Sequence, residues 1–394
     1  MFETLTPPEA DKIIRIMGMF QADPRADKVD LGVGVYRDPQ GRTPVMAAVA
    51  EAEAQIAEAQ TTKSYVALSG DIAFRDALRD LILGDSVAPD RVATCATPGG
   101  TGAVRQALEM VRRVNPDADI WMPDPTWPNH NAIVRDLGLT ERTYRYYDAE
   151  TGGLDRDGMH ADLAQAKAGD VIVLHACCHN PTGADLNADD WADIAALCEQ
   201  TGAVPFVDAA YLGFGESFEK DTAGLRLLAG RLPEVLIAAS CSKNFGIYRE
   251  RAGLCMAITR TPKARDAVSG LMTSLNRIHF AFPPDHGARI VQVILASPDL
   301  KQSWSDELSE MRNTMTANRK ALADALREAT GSDRFGFLAA HKGMFSLIGA
   351  TPEQVVRLRD EHGVYVIDDG RMNVAGLTPE TIPTVAKAIA EVLA

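Results

Sequence analysis

A glycine-rich segment at residues 97–105 could hold a phosphate group. It reads Thr-Pro-Gly-Gly-Thr-Gly-Ala-Val-Arg, follows a short apolar strand and leads into a helical segment at 106–114. Glycines let backbone N–H groups approach an anion, and a helix N-terminus adds free donors. Taken alone, such a cluster is equally typical of an ordinary turn. A nicotinamide-binding Gly-x-Gly-x-x-Gly/Ala pattern fails here, because Arg105 occupies the place of the third glycine.

An aspartate and a lysine each follow an apolar strand. Asp208 closes the strand predicted at 204–207, and the carboxyl edge of an α/β sheet is where such proteins bind ligands. Its carboxylate could pair with a cationic ring nitrogen, or simply form a turn. Lys243 follows the strand predicted at 235–240, in a chain with 11 lysines and 29 arginines. A partly desolvated lysine has a lowered pKa and attacks carbonyl carbons, whereas a solvated one would only end the strand.

The chain order of these features matches the needs of one cofactor. Pyridoxal phosphate has a phosphate, a ring nitrogen that prefers a nearby anion, and an aldehyde that reacts with an amine. The glycine-rich segment, Asp208 and Lys243 could supply the three partners. The residues therefore predict a pyridoxal phosphate enzyme.

Alternating strands and helices must position these residues. The strands predicted for the main sheet lie at 91–95, 120–122, 171–178, 204–207 and 235–240. Helices such as 187–200 lie between them, and this alternation favours an α/β protein with a mostly parallel sheet flanked by helices. A long charged helix is predicted at 306–330. The shorter elements after it, which predict a smaller α+β domain, are strands at 344–348, 364–367 and 372–374 and helices at 352–362 and 379–393.

Composition limits the possible partners and location. The 394 residues carry a formal net charge of −14, which disfavours nucleic acid and anionic membrane surfaces. No apolar run approaches the roughly 18 residues of a membrane span, and the first residues lack a signal-peptide pattern. Six cysteines without disulfide-like spacing predict a cytoplasmic protein. The adjacent Cys177 and Cys178 lack the usual metal-ligand spacing, so we interpret them as core residues and expect no metal.

Nine segments resemble those of class I aminotransferases of fold type I, in the aspartate and aromatic amino acid aminotransferase subgroup. They include Asp-Ala-Ala-Tyr at 208–211 and Ser-Cys-Ser-Lys-Asn-Phe-Gly at 240–246, the latter together with Arg-Glu-Arg at 249–251. The others lie at 29–38, 62–65, 97–102, 125–130, 175–183, 282–287 and 370–373. The resemblance implies the fold of pyridoxal phosphate-dependent transferases of type I. It also implies a large cofactor-binding domain at 45–305 and a small domain made of both chain ends, 1–44 and 306–394.

The resemblance implies roles around the cofactor. Lys243 would bond to it covalently, Asp208 would pair with its ring nitrogen, and His130 would support Asp208 from behind. Asn180 and Tyr211 would bind the ring hydroxyl oxygen. The remaining cofactor contacts would be Trp127 on the ring face, Gly100, Thr101, Ser240 and Arg251 on the phosphate, and Tyr65 on the phosphate from a neighbouring subunit.

Substrate-binding roles follow from the same resemblance. Arg371 would grip the α-carboxylate of an amino acid through paired hydrogen bonds, beside Gly34, Trp127 and Asn180. Arg277 would reach from the other subunit to the side-chain carboxylate of aspartate or glutamate. These roles imply a homodimer with shared active sites, acting on amino acids and 2-oxo acids.

Apolar residues near the expected pocket point to a broader substrate range. Phe282 stands where aspartate enzymes of the subgroup carry asparagine, and Ile13, Ile14 and Ile16 are expected at the pocket mouth. We therefore predict aromatic amino acids as donors, with aspartate and glutamate also accepted and 2-oxoglutarate as acceptor.

Four alternatives remain open. They are a strict aspartate aminotransferase, another fold type I enzyme of the same cofactor, a transcription regulator with an aminotransferase-like domain, and a nicotinamide-dependent oxidoreductase.

Overall fold

The structure, a computed structural model, describes residues 2–6, 12–38 and 40–393. Its helices are α1 Lys12–Ala22, α2 Ala47–Ala59, α3 Ile72–Leu83, α4 Gly99–Val114, α5 Pro128–Asp136, α6 Arg156–Leu163, α7 Ala188–Thr201, α8 Phe218–Arg231, α9 Pro262–His279, α10 His286–Ala296, α11 Pro298–Thr330, α12 Phe337–Ala340, α13 Pro352–His362 and α14 Ile382–Leu393. Its strands are β1 Val29–Asp30, β2 Val92–Pro98, β3 Asp119–Asp124, β4 Thr140–Arg145, β5 Tyr147–Asp148, β6 Gly153–Leu154, β7 Val171–His175, β8 Val204–Ala209, β9 Val235–Ser240, β10 Ala252–Ile258, β11 Phe345–Leu347, β12 Val364–Tyr365 and β13 Arg371–Asn373. Short 3-10 helices lie at Phe2–Thr4, Pro89–Arg91 and Val374–Gly376.

A seven-stranded sheet with the order β2-β10-β9-β8-β7-β3-β4 forms the centre of the fold. All its strands are parallel except β10, which runs antiparallel to both neighbours. The register pairs Ala252, the first residue of β10, with Pro98, the last residue of β2. The amino end of β10 therefore lies at the same edge as the carboxyl ends of the other strands. The predicted α/β fold with a mostly parallel sheet is confirmed.

Several element boundaries differ from the prediction for local reasons. The strand predicted at 171–178 ends at His175, because the chain turns at Cys178, where φ is 53°. The Asp185 carboxylate accepts the backbone N–H groups of Cys178 and His179 at 2.7 and 2.8 Å, which stabilises this turn. The helix predicted from 306 begins at Pro298, because Ser297 caps it through the Leu300 N–H group. The helix predicted from 379 begins at Ile382.

Apolar side chains cover both faces of the sheet. Leu174 and Val207 belong to a cluster on one face, and Val173 and Phe206 belong to a cluster on the other. Successive strand residues point to opposite faces, so burial on both faces accounts for the continuously apolar strands.

A third apolar cluster joins the two ends of the chain. It contains Leu31, Val364 and Ile389, together with Leu322 and Leu326 of α11. The first half of the same helix packs Met311 and Met315 into the sheet cluster, so α11 crosses the boundary predicted at 305/306 as one uninterrupted element. The domain division stays a prediction, and Met1, residues 7–11, Pro39 and Ala394 of the predicted small domain lie outside the described residues.

Within the described ranges, none of the helices combines the length and the apolar composition that a membrane crossing requires. The six cysteines are buried free thiols.

Candidate active site

A cavity of about 270 Å³ opens at the edge of the sheet where the parallel strands end. It brings together eleven of the residues that the sequence nominated: Gly34, Gly100, Thr101, Trp127, Asn180, Asp208, Tyr211, Ser240, Lys243, Arg251 and Arg371. These residues are spread over more than 330 positions of the chain, and only the packing of the sheet with the chain ends makes them neighbours.

One end of the cavity is built to receive an anion. Helix α4 begins at Gly99, directly after β2, so its first N–H groups face the cavity with the positive end of the helix dipole. A Cβ on Gly100 would lie 3.0 Å from the Ser240 Cβ, which shows how closely the two segments approach. Arg251 adds a guanidinium group, which donates hydrogen bonds to the Ser242 hydroxyl at 3.2 Å and to the Tyr248 carbonyl at 2.9 Å.

Asp208 lies at the end of β8 with its carboxylate held from behind. The Oδ2 atom is 2.9 Å from His130 Nε2, and His130 Nδ1 is 3.0 Å from the Thr126 hydroxyl. Burial acts to raise the pKa of Asp208, but the hydrogen bond to His130 and the positive charge of Lys243 outweigh it, so the pKa lies below its usual value. The site therefore holds a carboxylate anion at this position.

Lys243 follows β9 and points into the same cavity. Its Nζ atom lies 4.9 Å from the centre of the Tyr211 ring. Burial lowers the pKa of Lys243 and the charge of Arg251 adds to this, while Asp208 opposes both. The neutral amine, which is the form that attacks carbonyls and accepts protons, is thereby favoured relative to an exposed lysine.

Arg371 forms the opposite wall from β13. Its side chain is buried and donates hydrogen bonds at 3.3 Å to the Asn180 side-chain oxygen and to the Gly32 carbonyl. The guanidinium carbon lies 4.4 Å from the centre of the Phe345 ring. A Cβ on Gly34 would come within 2.9 Å of the same ring, so only a glycine lets the backbone pass this close to Phe345.

Three nominated residues lie outside this cavity. His130 lies behind Asp208, with its Nε2 atom 2.9 Å from the Asp208 carboxylate. Tyr65 is 82% exposed and stacks on Phe282 with ring centres 4.4 Å apart, and Arg277 is exposed near the end of α9. The roles of Tyr65 and Arg277 in a site shared between subunits stay predictions.

The prediction that Ile13, Ile14 and Ile16 line the mouth of the pocket was only partly right. Ile13 lines the cavity, but Ile16 is buried against Tyr365 and Ile367, and Ile14 is 69% exposed. Helix α1 explains the difference: Ile13 and Ile16 lie one turn apart on the same face, with Ile13 also packed against the cluster of Ile16, whereas Ile14 points about 100° away toward solvent.

Sequence reasoning missed several residues of the cavity wall, among them His175, Tyr248 and Phe345. A usable signal for His175 was its place at the end of an apolar strand, β7, which is the pattern already applied to Asp208 and Lys243. Tyr248 lies five residues after Lys243, and its hydroxyl accepts the Tyr36 N–H group at 3.0 Å. Nothing in the local sequence around Phe345 indicates its place beside Arg371.

The donor set of the cavity fits pyridoxal phosphate. A Cβ on Gly99 would fall 2.8 Å from the guanidinium carbon of Arg251, so the anion-binding end is a cradle that a larger residue would fill. A guanidinium, a hydroxyl and helix N–H groups suit a phosphate. Asp208 suits a protonated ring nitrogen, and Lys243 suits an aldehyde.

Comparison with known proteins agrees with the geometry. The family profile of aminotransferases of class I and II matches residues 26–389. An aromatic-amino-acid aminotransferase of Paracoccus denitrificans is 55% identical and an aspartate aminotransferase of Salmonella typhi is 40% identical, each over the full length of both chains. Among solved structures, an aromatic amino acid aminotransferase with 3-indolebutyric acid superposes with a TM-score of 0.98 at 54% identity, covering both chains fully. The enzyme of Burkholderia pseudomallei, covalently bound to pyridoxal phosphate, superposes with a TM-score of 0.97 at 41% identity, again covering both chains.

The chain belongs to the aminotransferases of class I and II. Within that family it groups with the aromatic amino acid and aspartate aminotransferases, as the sequence motifs indicated, and it catalyses amino-group transfer.

Proposed function

We propose that this aminotransferase uses pyridoxal phosphate to move the amino group of aromatic amino acids, and also of aspartate and glutamate, to 2-oxoglutarate. We further propose that it works as a homodimer whose two sites are shared. The observation that carries the proposal is the convergence of Lys243, Asp208 and Arg371 on one cavity.

Each residue has a distinct task in the proposed reaction. When bound, pyridoxal phosphate supplies an electron-accepting ring that makes the α-proton of an amino acid removable. Asp208, kept anionic by His130, holds the proton on the ring nitrogen. Lys243 would hold the cofactor until the amino group of the substrate replaces it there, and its released amine would then take the α-proton as general base. Arg371 orients the α-carboxylate so that this proton faces Lys243.

Apolar groups at the cavity support the aromatic preference. Ile13, Val33, Val35 and Phe345 line the wall near Arg371. Burying an aromatic ring against such groups yields a few kcal/mol at about 25 cal/mol per Å². Arg277 would serve the dicarboxylate substrates, provided that it moves aside when an aromatic side chain binds, because a buried unpaired charge is costly. Two substrate classes with one α-carboxylate site are the consequence.

Replacing Arg277 by leucine tests the specificity. We expect the Arg277→Leu variant to lose roughly tenfold to a hundredfold in kcat/KM for aspartate and glutamate, the value of a charge-assisted contact. For phenylalanine the loss should stay within about threefold, because no side-chain carboxylate is involved. Single-turnover rates with each donor alone are the measurement, since 2-oxoglutarate itself carries a second carboxylate.

The matched control is Arg265→Leu, a half-buried arginine near the other end of α9 that pairs with Asp266. It should behave as the unchanged protein with all donors. Equal losses for aspartate and phenylalanine in Arg277→Leu would contradict the two-substrate pocket. Absence of any turnover with phenylalanine in the unchanged protein would instead identify a strict aspartate aminotransferase.

A further inference from the structure

A guanidinium group is buried deep beneath the wall that carries Arg371. Arg319, on α11, is 1% exposed. Its donors bind oxygens of uncharged groups: the carbonyls of Leu338, Lys342, Gly343 and Phe345 and the hydroxyl of Ser346. The shortest of these bonds, at 2.6 Å, go to the Phe345 carbonyl and the Ser346 hydroxyl. Burial lowers the pKa of Arg319 to about 10, so the group is still a cation at neutral pH.

Such a cation is expensive to bury, so its contacts indicate what it stabilises. An ion removed from water must recover its hydration through hydrogen bonds. Arg319 replaces its hydrogen bonds to water mainly with bonds to the carbonyl and hydroxyl oxygens of one short segment, residues 342–346. These carbonyls would in turn lose their partners if the guanidinium were removed. The segment and the guanidinium therefore fix each other.

A chain of hydrogen bonds extends this arrangement to the hairpin of β5 and β6. His341 Nε2 donates to the Gly152 carbonyl at 2.6 Å, and the Ser346 hydroxyl donates to His341 Nδ1 at 2.9 Å. The same hydroxyl oxygen accepts from Arg319. Burial lowers the pKa of His341 to about 4, so the ring is neutral at physiological pH and can donate at one nitrogen while accepting at the other. The His341 ring N–H and the Ser346 hydroxyl each have one defined acceptor.

The segment that Arg319 holds ends in a side chain of the active site. The Phe345 ring is buried, lies against the guanidinium of Arg371, and meets the Tyr211 ring edge-on with centres 6.0 Å apart. Gly34 packs against the same ring. A shift of the Phe345 backbone therefore moves the surface on which Arg371 lies.

We propose that Arg319 is a positioning residue for the substrate-carboxylate site: by binding the segment 342–346 it holds the Phe345 ring under Arg371. The inference rests on the proposed function, because that function assigns Arg371 to the α-carboxylate of the substrate.

The test compares carboxylate binding with cofactor binding. The Arg319→Lys variant keeps the positive charge but loses the planar array of five donors. Its holoenzyme should bind 3-phenylpropionate roughly tenfold more weakly, as measured by calorimetry, because a small displacement of Arg371 weakens its contact with the carboxylate. The KM for phenylalanine and for aspartate should rise by the same factor, with kcat within about twofold. The affinity of the apoprotein for pyridoxal phosphate should not change. Arg327→Lys, on the exposed part of the same helix, is the matched control.

Two further variants keep the inference testable if Arg319→Lys folds poorly. Ser346→Ala removes the hydroxyl link while leaving the carbonyl contacts, and should weaken 3-phenylpropionate binding by a smaller factor in the same direction. Phe345→Leu should weaken it as well, and adding Arg319→Lys to that variant should cost less than it does alone, since the two act through one contact.

Three results would overturn the inference. They are unchanged 3-phenylpropionate affinity in folded Arg319→Lys, an equal loss of pyridoxal phosphate affinity, or additive effects of the Arg319 and Phe345 substitutions. Failure of the proposed function is distinguishable, because the unchanged protein itself would then fail to bind pyridoxal phosphate, 3-phenylpropionate or both.

Discussion

Replacing Gly99 by alanine separates phosphate binding from every other property of the site. Gly99 has φ of +69°, and a Cβ there would lie 2.8 Å from the guanidinium carbon of Arg251 and closer still to one of its nitrogens. The left-handed backbone costs an alanine about 1 kcal/mol, and Arg251 must move away from the anion-binding end. A hydrogen bond to a charged group contributes about 1.5 to 3 kcal/mol. At 1.4 kcal/mol for each factor of ten, the affinity for pyridoxal phosphate should fall roughly tenfold to a hundredfold.

Equilibrium titration of the apoprotein measures this loss. Pyridoxal, which lacks the phosphate, should bind Gly99→Ala as well as it binds the unchanged protein. The matched control is Gly331→Ala, because Gly331 has a similar φ of +63° but open space around its missing Cβ. That variant should lose the same backbone stability and no cofactor affinity. If Gly99→Ala weakened pyridoxal and pyridoxal phosphate equally, or weakened neither, the assignment of this end of the cavity to phosphate would be wrong.

Two more expectations concern proton transfer and acid stability. Lys243→Ala should still bind pyridoxal phosphate, but without the absorbance of the lysine-linked cofactor, and its turnover should fall roughly a hundredfold or more. The control is Lys263→Ala, because Lys263 is exposed on α9. Near-normal turnover in Lys243→Ala would refute the assignment of Lys243 as the general base. The pKa of His341 is about 4 in the folded chain against 6.5 for a free side chain, so the unfolded chain binds the additional proton between these values. Stability should therefore fall as pH drops from 6.5 to 4, by up to about 3 kcal/mol from this group. His341→Gln should lack that part of the decline in urea unfolding at pH 7 and 4.5, and an identical pH dependence would exclude it.

Local sequence was sufficient to predict the bounds of an element where the residues that fix its ends belong to the same segment. The strand at Val235–Ser240 and the helix at Pro352–His362 have the predicted bounds. Thr351 before the helix forms a capping box with Gln354, and Gly363 after it adopts a left-handed conformation that ends it. Such signals act over a few residues, so they can be read without the fold.

Distant packing was decisive where prediction failed. The chain turns at Cys178 because the carboxylate of Asp185, seven positions later, accepts its N–H group. Strand β10 was not predicted, and its antiparallel direction follows from pairing with β2 and β9 on both sides. Ile16 is buried because the C-terminal segment around Tyr365 and Ile367 covers it.

The sequence by itself predicted the chemistry of the site. A glycine-rich helix start, an aspartate and a lysine at strand ends are each ambiguous alone, but their chain order matches the needs of one cofactor. Tertiary structure alone decided how these groups meet. Arg251 reaches the anion-binding end because β10 is antiparallel, so that its first residues lie at the edge where its neighbours end. Phe345 and Arg319 gained their places through contacts between segments that are distant along the chain. Side-chain types specify which chemistry a group can perform. The register of strands and the packing of helices specify which other groups lie close enough to take part in it.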